Sequence, residues 1–557
     1  MKITKTKLEK FENKAFQPPR LKLEEKYLIE PFFTNLNRSI YSLLFLGPEI
    51  SGALCSRASR TSNDLRVVFL EEFVKPFLKE KYGQKFKKLV KFLHQVKIKD
   101  IFFNPKAQSF YIKWLAQYGD DSIAQVSGAY IIFASLSQVA IKFLENQRIG
   151  ISAIEKSTRY VDFAKKVNNH YLYFDPPELK GRIKEKYQKV MDDVFQTYSF
   201  LYLQLFENLK KKYPEASEHL LKTKTFDTIR TILPMATLGQ VAFFGTCQAL
   251  EYLINRTLDY PLFEIRWAGY RAWQELLKVI PSFLRRIEKQ ETKDYRLYLS
   301  QRQERLKQAL TKIKWQKTKI NFFDKVNLIE YDKEGEEKII SALIFQQTNE
   351  NFEKILEKVK RLSLKKKEEI LKSILFDRRF RWYKVPRAFE NVYLRFEIIT
   401  NIGAWRDLQR HRMQTQYHQP FSIDLGFEIP QEIYEFKLEK IFKQSVLSLE
   451  NLYSMLLKNN QNLAQYSVSL AHRIRFLQYQ NLREFFWESE LRTISQGHPD
   501  YRQIEQQKAL IVKKIYPLIG KYLLVDFNQY DFARREENSQ VKEKEILNFL
   551  KKVKYHG

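Results

Sequence analysis

The chain carries one order of motifs twice, and this repetition constrains its fold more than any other feature of the sequence. In the first half, a motif at 148–160 is followed by a late segment at 230–234. In the second half, a motif at 408–417 is followed by a late segment at 473–476. A diverged tandem duplication explains this recurrence, so we expect two repeats of one architecture.

Apolar periodicity predicts that each repeat is rich in helix. Residues 186–212 have apolar side chains at three- and four-residue steps, and the apolar runs 129–144 and 231–250 are also predicted as buried helices. A strand is predicted over 326–332, followed by a helix over 336–345. The expected fold class is α+β, with two tandem diverged repeats that each combine a helix-rich body with a small antiparallel sheet.

Shifts in charge and in Pro content indicate where the segments of the chain begin and end. The expected organisation is an N-terminal arm (1–28), a first repeat (29–284), a basic helical linker (285–318), a second repeat (319–540) and a basic C-terminal tail (541–557).

The chain is strongly basic: 96 Lys and Arg against 65 Asp and Glu give a formal net charge of +31. This balance favours phosphorylated ligands or polyanions as partners, although a genome rich in A and T also enriches Lys. The two cysteines, Cys55 and Cys247, give no disulfide framework and fit a reducing compartment. No secretion signal or membrane span is recognised, so a cytoplasmic location is expected.

The motif of the first half contains Glu155, Ser157 and Arg159 at alternate positions. Alternate residues of an extended segment point to the same side, so a carboxylate, a hydroxyl and a guanidinium would line one face. Ser and Arg together can hold a phosphate through charge-assisted hydrogen bonds. The alternative is a surface turn, because the Ser-x-Arg pattern is common.

The motif of the second half places Arg410, His411 and Arg412 side by side, after the aromatic-rich segment 392–399. Two guanidiniums that flank an imidazole are costly to hold together without an anion. The triplet therefore favours a site for a phosphate or an electron-rich ring. In a chain this basic, a solvated patch is the alternative.

Taken together, the two motifs resemble the motif of the flavin-dependent thymidylate synthase family, in a tandem two-copy form. The family motif reads Arg-His-Arg-x-x-Ser-x-Asn-Glu-x-Ser-x-Arg-Tyr. The second repeat keeps the triplet at 410–412 and has Thr415 in place of the first Ser. The first repeat keeps Glu-Lys-Ser-Thr-Arg-Tyr at 155–160 but reads Gln-Arg-Ile at 147–149, near the place of the triplet. Weaker matches are Ser59, Arg230 and Glu390.

The resemblance implies an enzyme that converts dUMP to dTMP, with FAD as cofactor and with NADPH and methylenetetrahydrofolate as co-substrates. It implies nucleotide binding by the first repeat and flavin binding mainly by the second. The implied substrate-binding residues are Glu155, Ser157, Arg159 and Arg230. The implied cofactor-binding residues are Ser59, Glu390, Arg410, His411 and Arg412, and the implied catalytic residues are Arg159, Arg410 and His411. Because the family's enzymes are homotetramers that share active sites, the resemblance also implies a homodimer that forms a pseudo-tetramer.

The chain departs from the family in one element. The family's Gly-His-x-x-x-x-Glu-His is reduced to Gly-Asp-Asp at 119–121 in the first repeat and to Phe-Glu-Asn at 389–391 in the second. Arg492 and His498 are further candidates for the ligand site, with a capped turn as the alternative. No metal site is expected, because the histidines match no common ligand spacing. Glycine-loop motifs for nucleotides are missing as well.

Two other functions stay open from the sequence. The first is a flavoprotein that acts on a base in RNA or DNA, which the charge and the aromatic and basic cluster at 378–384 would suit. The second is a catalytically inactive homologue that still binds flavin or nucleotide, which the reduced Gly-His element permits. Nucleic acid is therefore a less favoured partner than dUMP.

Overall fold

A computed structural model describes most of the chain. The described residues are 5–96, 105–106, 109, 122–159, 161–313 and 325–532. The expected tail at 541–557, the Gly-Asp-Asp segment at 119–121 and the end of the expected linker lie outside them.

The chain divides into two compact units, and neither unit is continuous in sequence. The first unit draws on Met1–Asn208, Thr228–Lys319 and Ile429–Leu470. The second unit draws on Leu209–Asp227, Ile320–Glu428 and Ala471–Gly557. Each unit therefore contains a segment from the other half of the chain, whereas the boundaries expected from the sequence are contiguous.

Each unit contains one four-stranded antiparallel sheet. The strands are β1 (Ile40–Ser42), β2 (Gly128–Ser137), β3 (Ile151–Glu155), β4 (Leu238–Thr246), β5 (Val326–Tyr331), β6 (Tyr393–Asn401), β7 (Thr415–His418) and β8 (Arg473–Asn481). Their orders are β1-β2-β4-β3 in the first unit and β5-β6-β8-β7 in the second. The two orders are the same when strands are numbered within each unit, which confirms the predicted α+β class with two tandem repeats.

Helices make up most of the remaining described structure. Before residue 320 the α-helices are Lys5–Lys10, Leu23–Ile29, Pro48–Ala58, Leu65–Val68, Lys75–Leu78, Gly83–Gln95, Ser122–Val126, Gln138–Glu145, Gly181–Lys212, Glu218–Ile229, Cys247–Leu258, Phe263–Leu276, Pro281–Leu284 and Gln290–Leu310. After it they are Gly335–Phe345, Phe352–Lys360, Leu364–Leu375, Ile402–Leu408, Gln431–Glu435, Glu439–Leu457, Gln461–Ala464, Leu482–Arg492, Pro499–Ile515 and Pro517–Gly520. Short 3₁₀ helices are Glu30–Phe32, Arg230–Ile232, Arg387–Asn391 and Gln465–Ser467, and Phe69–Val74 is a π-helix.

Periodicity located several elements correctly. The amphipathic segment 186–212 lies in the Gly181–Lys212 helix, and the strand and helix expected after residue 325 are β5 and Gly335–Phe345. Among the described helices, none is both long and apolar enough to cross a membrane.

Two apolar runs that were predicted as helices are strands followed by helices. The run 129–144 forms β2 and then the Gln138–Glu145 helix, and the run 231–250 contains β4 before a helix begins at Cys247. An uninterrupted apolar run does not distinguish a buried strand from a buried helix, and both runs are rich in β-branched and aromatic residues in their strand parts. The switch occurs at a helix N-cap, where Ser137 or Thr246 accepts a backbone N–H with its side chain.

The Phe263–Leu276 helix covers the sheet of the first unit and approaches the neighbouring Cys247–Leu258 helix closely. At Gly269 a Cβ atom would lie only 1.7 Å from Oγ1 of Thr257. A side chain at this position would force the two helices apart, so glycine sets their separation.

Candidate functional site

Strand register shows which residues of the two motifs correspond. The residue pairs that define it are Ser137 with Leu238, Glu155 with Val241, Asn401 with Arg473 and His418 with Phe476. Val241 follows Leu238 on β4 by the same number of residues as Phe476 follows Arg473 on β8. Glu155 and His418 therefore occupy equivalent positions at the ends of β3 and β7.

Counted back from Glu155 and His418, the two motifs align without a gap. The interval 137–155 is one residue longer than 401–418, because the helix before the first motif has 8 residues and the helix before the second has 7. The triplet 410–412 corresponds to Gln-Arg-Ile at 147–149. In the other direction, Ser157 corresponds to Pro420 and Arg159 to Ser422. Each repeat therefore keeps the part of the family-like motif that the other repeat has lost.

The late segments correspond differently from the expectation. From the sequence, 230–234 was matched with 473–476. In the structure, Arg230 begins the 3₁₀ helix before β4 and Gln465 begins the 3₁₀ helix before β8, so these two residues correspond. The error arose because the long helix between motif and late segment differs in length, with 32 residues in Gly181–Lys212 and 19 in Glu439–Leu457. The second repeat thus has an amide where the first has a guanidinium.

In the first unit, the structure brings together residues that are far apart in sequence. The backbone N–H of Ser157 donates to the carbonyl of Ser59 at 2.9 Å, and Nη1 of Arg230 donates to Oγ1 of Thr158 at 3.2 Å. Thr158 lies between Ser157 and Arg159, and both arginines are buried, with 5% exposure for Arg159 and 4% for Arg230. Ser59 therefore lies beside the expected nucleotide-binding residues, while the other expected flavin-binding residues belong to the second unit.

The carboxylate of Glu155 faces into the first unit. Its Oε2 lies 2.8 Å from Nζ of Lys142, which also lies 2.6 Å from Glu145. Sequence reasoning missed Lys142, although it is the only charged residue within the apolar segment 139–144. A lysine in such a segment needs a buried anionic partner, and that need was the available signal.

Lys156 is a second residue that sequence reasoning did not single out. Its Nζ donates to the carbonyl oxygens of Asn63 at 2.8 Å and Ser62 at 3.3 Å. Burial lowers the pKa of Lys156 to about 8. The side chain thus ties the segment after Ser59 to the end of β3, next to Ser157.

In the second unit, the triplet has two exposed arginines beside a buried histidine, and Nη1 of Arg410 lies 3.5 Å from Oδ1 of Asp407. Arg410 and Arg412 are exposed, whereas His411 is only 6% exposed. The triplet follows the Ile402–Leu408 helix in a tight turn, in which the N–H of His411 donates to the carbonyl of Leu408 at 3.3 Å. Two exposed arginines on either side of a buried histidine in sequence suit a surface that binds an anion, with the histidine fixed in place.

Both ring nitrogens of His411 have partners on the Leu482–Arg492 helix. Nδ1 lies 3.1 Å from Oε1 of Glu484, and Nε of Arg492 donates to Nε2 at 2.9 Å. Arg492, one of the two further candidates, therefore contacts the triplet. His498 instead caps the Pro499–Ile515 helix, because its Nδ1 accepts a hydrogen bond from the backbone N–H of Asp500. This is the capped turn given above as the alternative to a ligand site.

Glu390 lies in the Arg387–Asn391 helix between two arginines. Its Oε2 lies 3.1 Å from Arg387 and its Oε1 lies 2.7 Å from Arg483. The hydrogen bond from Arg387, followed by the bond from Arg483, lowers the pKa of this carboxyl. Glu390 is thus an anion at neutral pH that already has two cationic neighbours.

The second repeat has lost the polar groups of the expected nucleotide site. His418, at the position of Glu155, lies 4.8 Å from the ring of Trp405 and 5.2 Å from the ring of Phe421, measured between centroids. Burial lowers its pKa, so its neutral form is favoured. An aromatic cluster replaces the carboxylate, hydroxyl and guanidinium of the first repeat. Within the described residues, no group of His, Cys, Asp and Glu is arranged to hold a metal ion.

Comparisons with known proteins identify the family. The model of the thymidylate synthase complementing protein family matches residues 78–282 and 327–518. A UPF0159 protein of Chlamydia muridarum is 34% identical over 533 residues, which are 93% of this chain and 98% of that protein. UPF0159 protein Ta1429 of Thermoplasma acidophilum is 29% identical over 517 residues, which are 87% of this chain and 96% of that protein.

Among solved structures, a UMP/dUMP methylase, PolB from Streptomyces cacaoi, is 13% identical, with a TM-score of 0.30 over 35% of this chain and 93% of that chain. The family assignment rests on the sequence matches, which cover well over half of the chain in two segments. This chain belongs to the thymidylate synthase complementing protein family.

Proposed function

We propose that this protein is a flavin-dependent enzyme that methylates dUMP to dTMP. It would take the carbon from methylenetetrahydrofolate and the electrons from NADPH. Family membership supports a thymidylate-synthase-like role. The observation that carries the finer proposal is the division of one motif between two repeats, with each repeat keeping what the other has lost.

The first unit would bind the nucleotide. Arg159 and Arg230 are buried arginines, of which the first follows Thr158 in sequence and the second donates a hydrogen bond to it, and Ser157 adds a hydroxyl. Guanidiniums and hydroxyls are suited to a phosphate dianion, because they form short charge-assisted hydrogen bonds with its oxygens. Glu155 would act indirectly, because its carboxylate is already bound to Lys142.

The second unit would bind FAD. Bound FAD would supply the redox chemistry of the reaction. Arg410 and Arg412 are two exposed cationic residues on one tight turn, which fits the pyrophosphate or the electron-rich edge of a flavin. Glu390 belongs to the same unit and would accept hydrogen bonds from the cofactor. Arg387 and Arg483 keep its carboxyl ionised by lowering its pKa.

The division implies one nucleotide site and one flavin site for each chain. The second repeat lacks the Ser and Arg of the phosphate site, and the first lacks the triplet. A homodimer would then resemble a tetramer of single-copy chains but would have half as many sites. Binding of one FAD and one dUMP per chain is the stoichiometry we expect.

An absorbance spectrum of the purified protein, followed by titration with dUMP, tests the proposal first. A flavin spectrum that dUMP perturbs would support both the flavin site and the nucleotide site. A turnover assay with methylenetetrahydrofolate and NADPH would then follow. A colourless protein that takes up no added FAD would contradict the proposal. Flavin without turnover would indicate the inactive homologue, and a tight, salt-sensitive RNA complex would indicate action on nucleic acid.

Two variants then test the division. Arg159→Ala should weaken dUMP binding by about 2–4 kcal/mol, or roughly 30- to 1000-fold in Kd, and leave FAD binding unchanged. Arg410→Ala should weaken FAD binding and spare dUMP. Arg395→Ala is a matched control, since this β6 arginine pairs with Glu330 at the surface. Equal loss of both ligands in both variants would exclude the division.

A further inference from the structure

His411 is the middle residue of the triplet, yet its side chain is the least accessible of the three. The side chain is 4% exposed, while that of Arg410 is 38% exposed. Its two nitrogens contact Glu484 and Arg492 on one helix. An imidazole with both nitrogens occupied has no hydrogen-bonding atom left for a cofactor.

The partners of His411 determine its tautomer. The guanidinium of Arg492 can only donate, so Nε2 of His411 must accept and carries no hydrogen. Nδ1, which lies 3.1 Å from the carboxylate of Glu484, is then the nitrogen that carries the hydrogen and donates it. One donor and one acceptor fix the ring in a single orientation.

The helix that holds His411 is itself held in place. Glu484, Glu488 and Arg492 are four residues apart and lie on one face of the Leu482–Arg492 helix. Glu488 is fully buried and accepts hydrogen bonds from Lys508 at 3.1 Å and from Gln480 at 3.0 Å. These bonds to β8 and to the Pro499–Ile515 helix leave the helix face little freedom to move.

We infer that His411, Glu484 and Arg492 form a clamp that positions Arg410 and Arg412, and that His411 itself does not touch the cofactor. His411 anchors the tight turn from inside, and the backbone then directs its two neighbours outwards. This inference rests on the proposed binding of flavin by the two arginines. It assigns His411 a positioning role, whereas the sequence resemblance implied a catalytic and cofactor-binding one.

Nitrogen NMR of the ligand-free protein with labelled histidine tests the clamp without any cofactor. The expected result is one histidine, absent in His411→Asn, with its hydrogen on Nδ1 and with Nε2 as an acceptor. Arg492→Ala should shift the Nε2 signal of this histidine, because the donor is lost. A His411 signal with the hydrogen on Nε2, or with no response to Arg492→Ala, would overturn the inference.

FAD binding tests the positioning role. Glu484→Ala, Arg492→Ala and His411→Asn should each weaken FAD binding about tenfold, while Glu484→Gln, which keeps the acceptor, should stay close to the wild type. The two single substitutions, Glu484→Ala and Arg492→Ala, should not act independently. The double variant should bind FAD at least about fivefold more tightly than the product of the two single fold-losses in affinity would give. Arg395→Ala serves again as the surface control.

The spectrum of bound flavin separates positioning from contact. At saturating FAD, the clamp variants should show the absorbance spectrum of the wild type, since no group next to the flavin has been removed. An altered saturated spectrum in His411→Asn alone would mean that the imidazole touches the flavin, which would overturn the inference. A protein with the Nδ1–H tautomer that takes up no FAD would contradict the proposed function and still support the clamp.

Discussion

The Nζ atom of Lys142 lies 2.8 Å from Oε2 of Glu155, and both side chains are buried, with exposures of 1% and 0%. The pair joins the Gln138–Glu145 helix to the end of β3, two residues before Ser157. It therefore fixes the start of the segment that would hold the nucleotide. Lys142 also lies 2.6 Å from Oε2 of Glu145, so one buried ammonium serves two carboxylates that would be costly to bury without it.

Lys142→Met should destabilise the protein by about 3–5 kcal/mol, because Glu155 would lose its buried cation. Chemical denaturation measures this change. Adding Glu155→Gln should recover part of the loss, since one of the two carboxylates that Lys142 contacts is then neutral. Lys222→Met is a matched control: it breaks an exposed pair with Glu218 and should change stability little. Equal effects of the two lysine variants would contradict the role assigned to burial.

The sequence allowed the family-like motifs and the amphipathic helices to be recognised, because both are local patterns. Helix 181–212 shows its apolar stripe in any window, and the triplet 410–412 is contiguous. The burial of His411 was not visible, since the residues that enclose it come from the Leu482–Arg492 helix. Local patterns give the residue types of a site but do not show which way each side chain points.

Long-range pairing explains the remaining differences from expectation. The equivalence of Arg230 with Gln465 depends on strand register, which a comparison of spacings misjudged because of unequal helix lengths. The partner of Glu155 is on another element, so a Lys in an apolar segment was passed over. Residues 429–470 lie in the second half of the sequence but belong to the first unit, so no single boundary along the chain separates the two units.

Thr158 should matter for nucleotide binding through Arg230. Its Oγ1 accepts from Nη1 of Arg230 at 3.2 Å, so Thr158→Val removes an acceptor from a buried guanidinium. We expect dUMP affinity to fall by about 1–3 kcal/mol, as measured by calorimetry. Thr158→Ser keeps the hydroxyl and should bind dUMP nearly as well as the wild type. Equal losses in the two variants would show that the methyl group, not the hydrogen bond, is what matters.

Glu264 should make the stability of the protein depend on pH. Burial raises the pKa of this carboxyl to about 7, despite hydrogen bonds from Ser137 and Tyr466. Between an ordinary pKa near 4.5 and this value, the unfolded chain ionises while the folded chain stays neutral, so stability falls as pH rises. The loss is complete above about pH 7 and amounts to about 3 kcal/mol.

Glu264→Gln should remove this pH dependence, because an amide does not titrate. The stability of the variant relative to the wild type should therefore be about 2.5 kcal/mol more favourable at pH 8 than at pH 5, because part of the loss already occurs below pH 5. Denaturation of both proteins at the two pH values measures the difference. A difference that is the same at both pH values would mean that Glu264 is ionised throughout this range.

Gly269 should tolerate no side chain, because a Cβ there would lie 1.7 Å from Oγ1 and 2.4 Å from Cβ of Thr257. Gly269→Ala should destabilise the protein by about 1–3 kcal/mol or more in chemical denaturation, as overpacked cores do. Thr257→Gly removes both clashing atoms, so the double variant should be more stable than the sum of the two single effects on the free energy of unfolding predicts.

Gly52→Ala is the matched control: this helical glycine has open space around its Cβ position, and alanine should stabilise its helix by about 0.5–1 kcal/mol. If Gly269→Ala behaved like Gly52→Ala, the two helices would have to separate without cost, and Gly269 would not set their spacing.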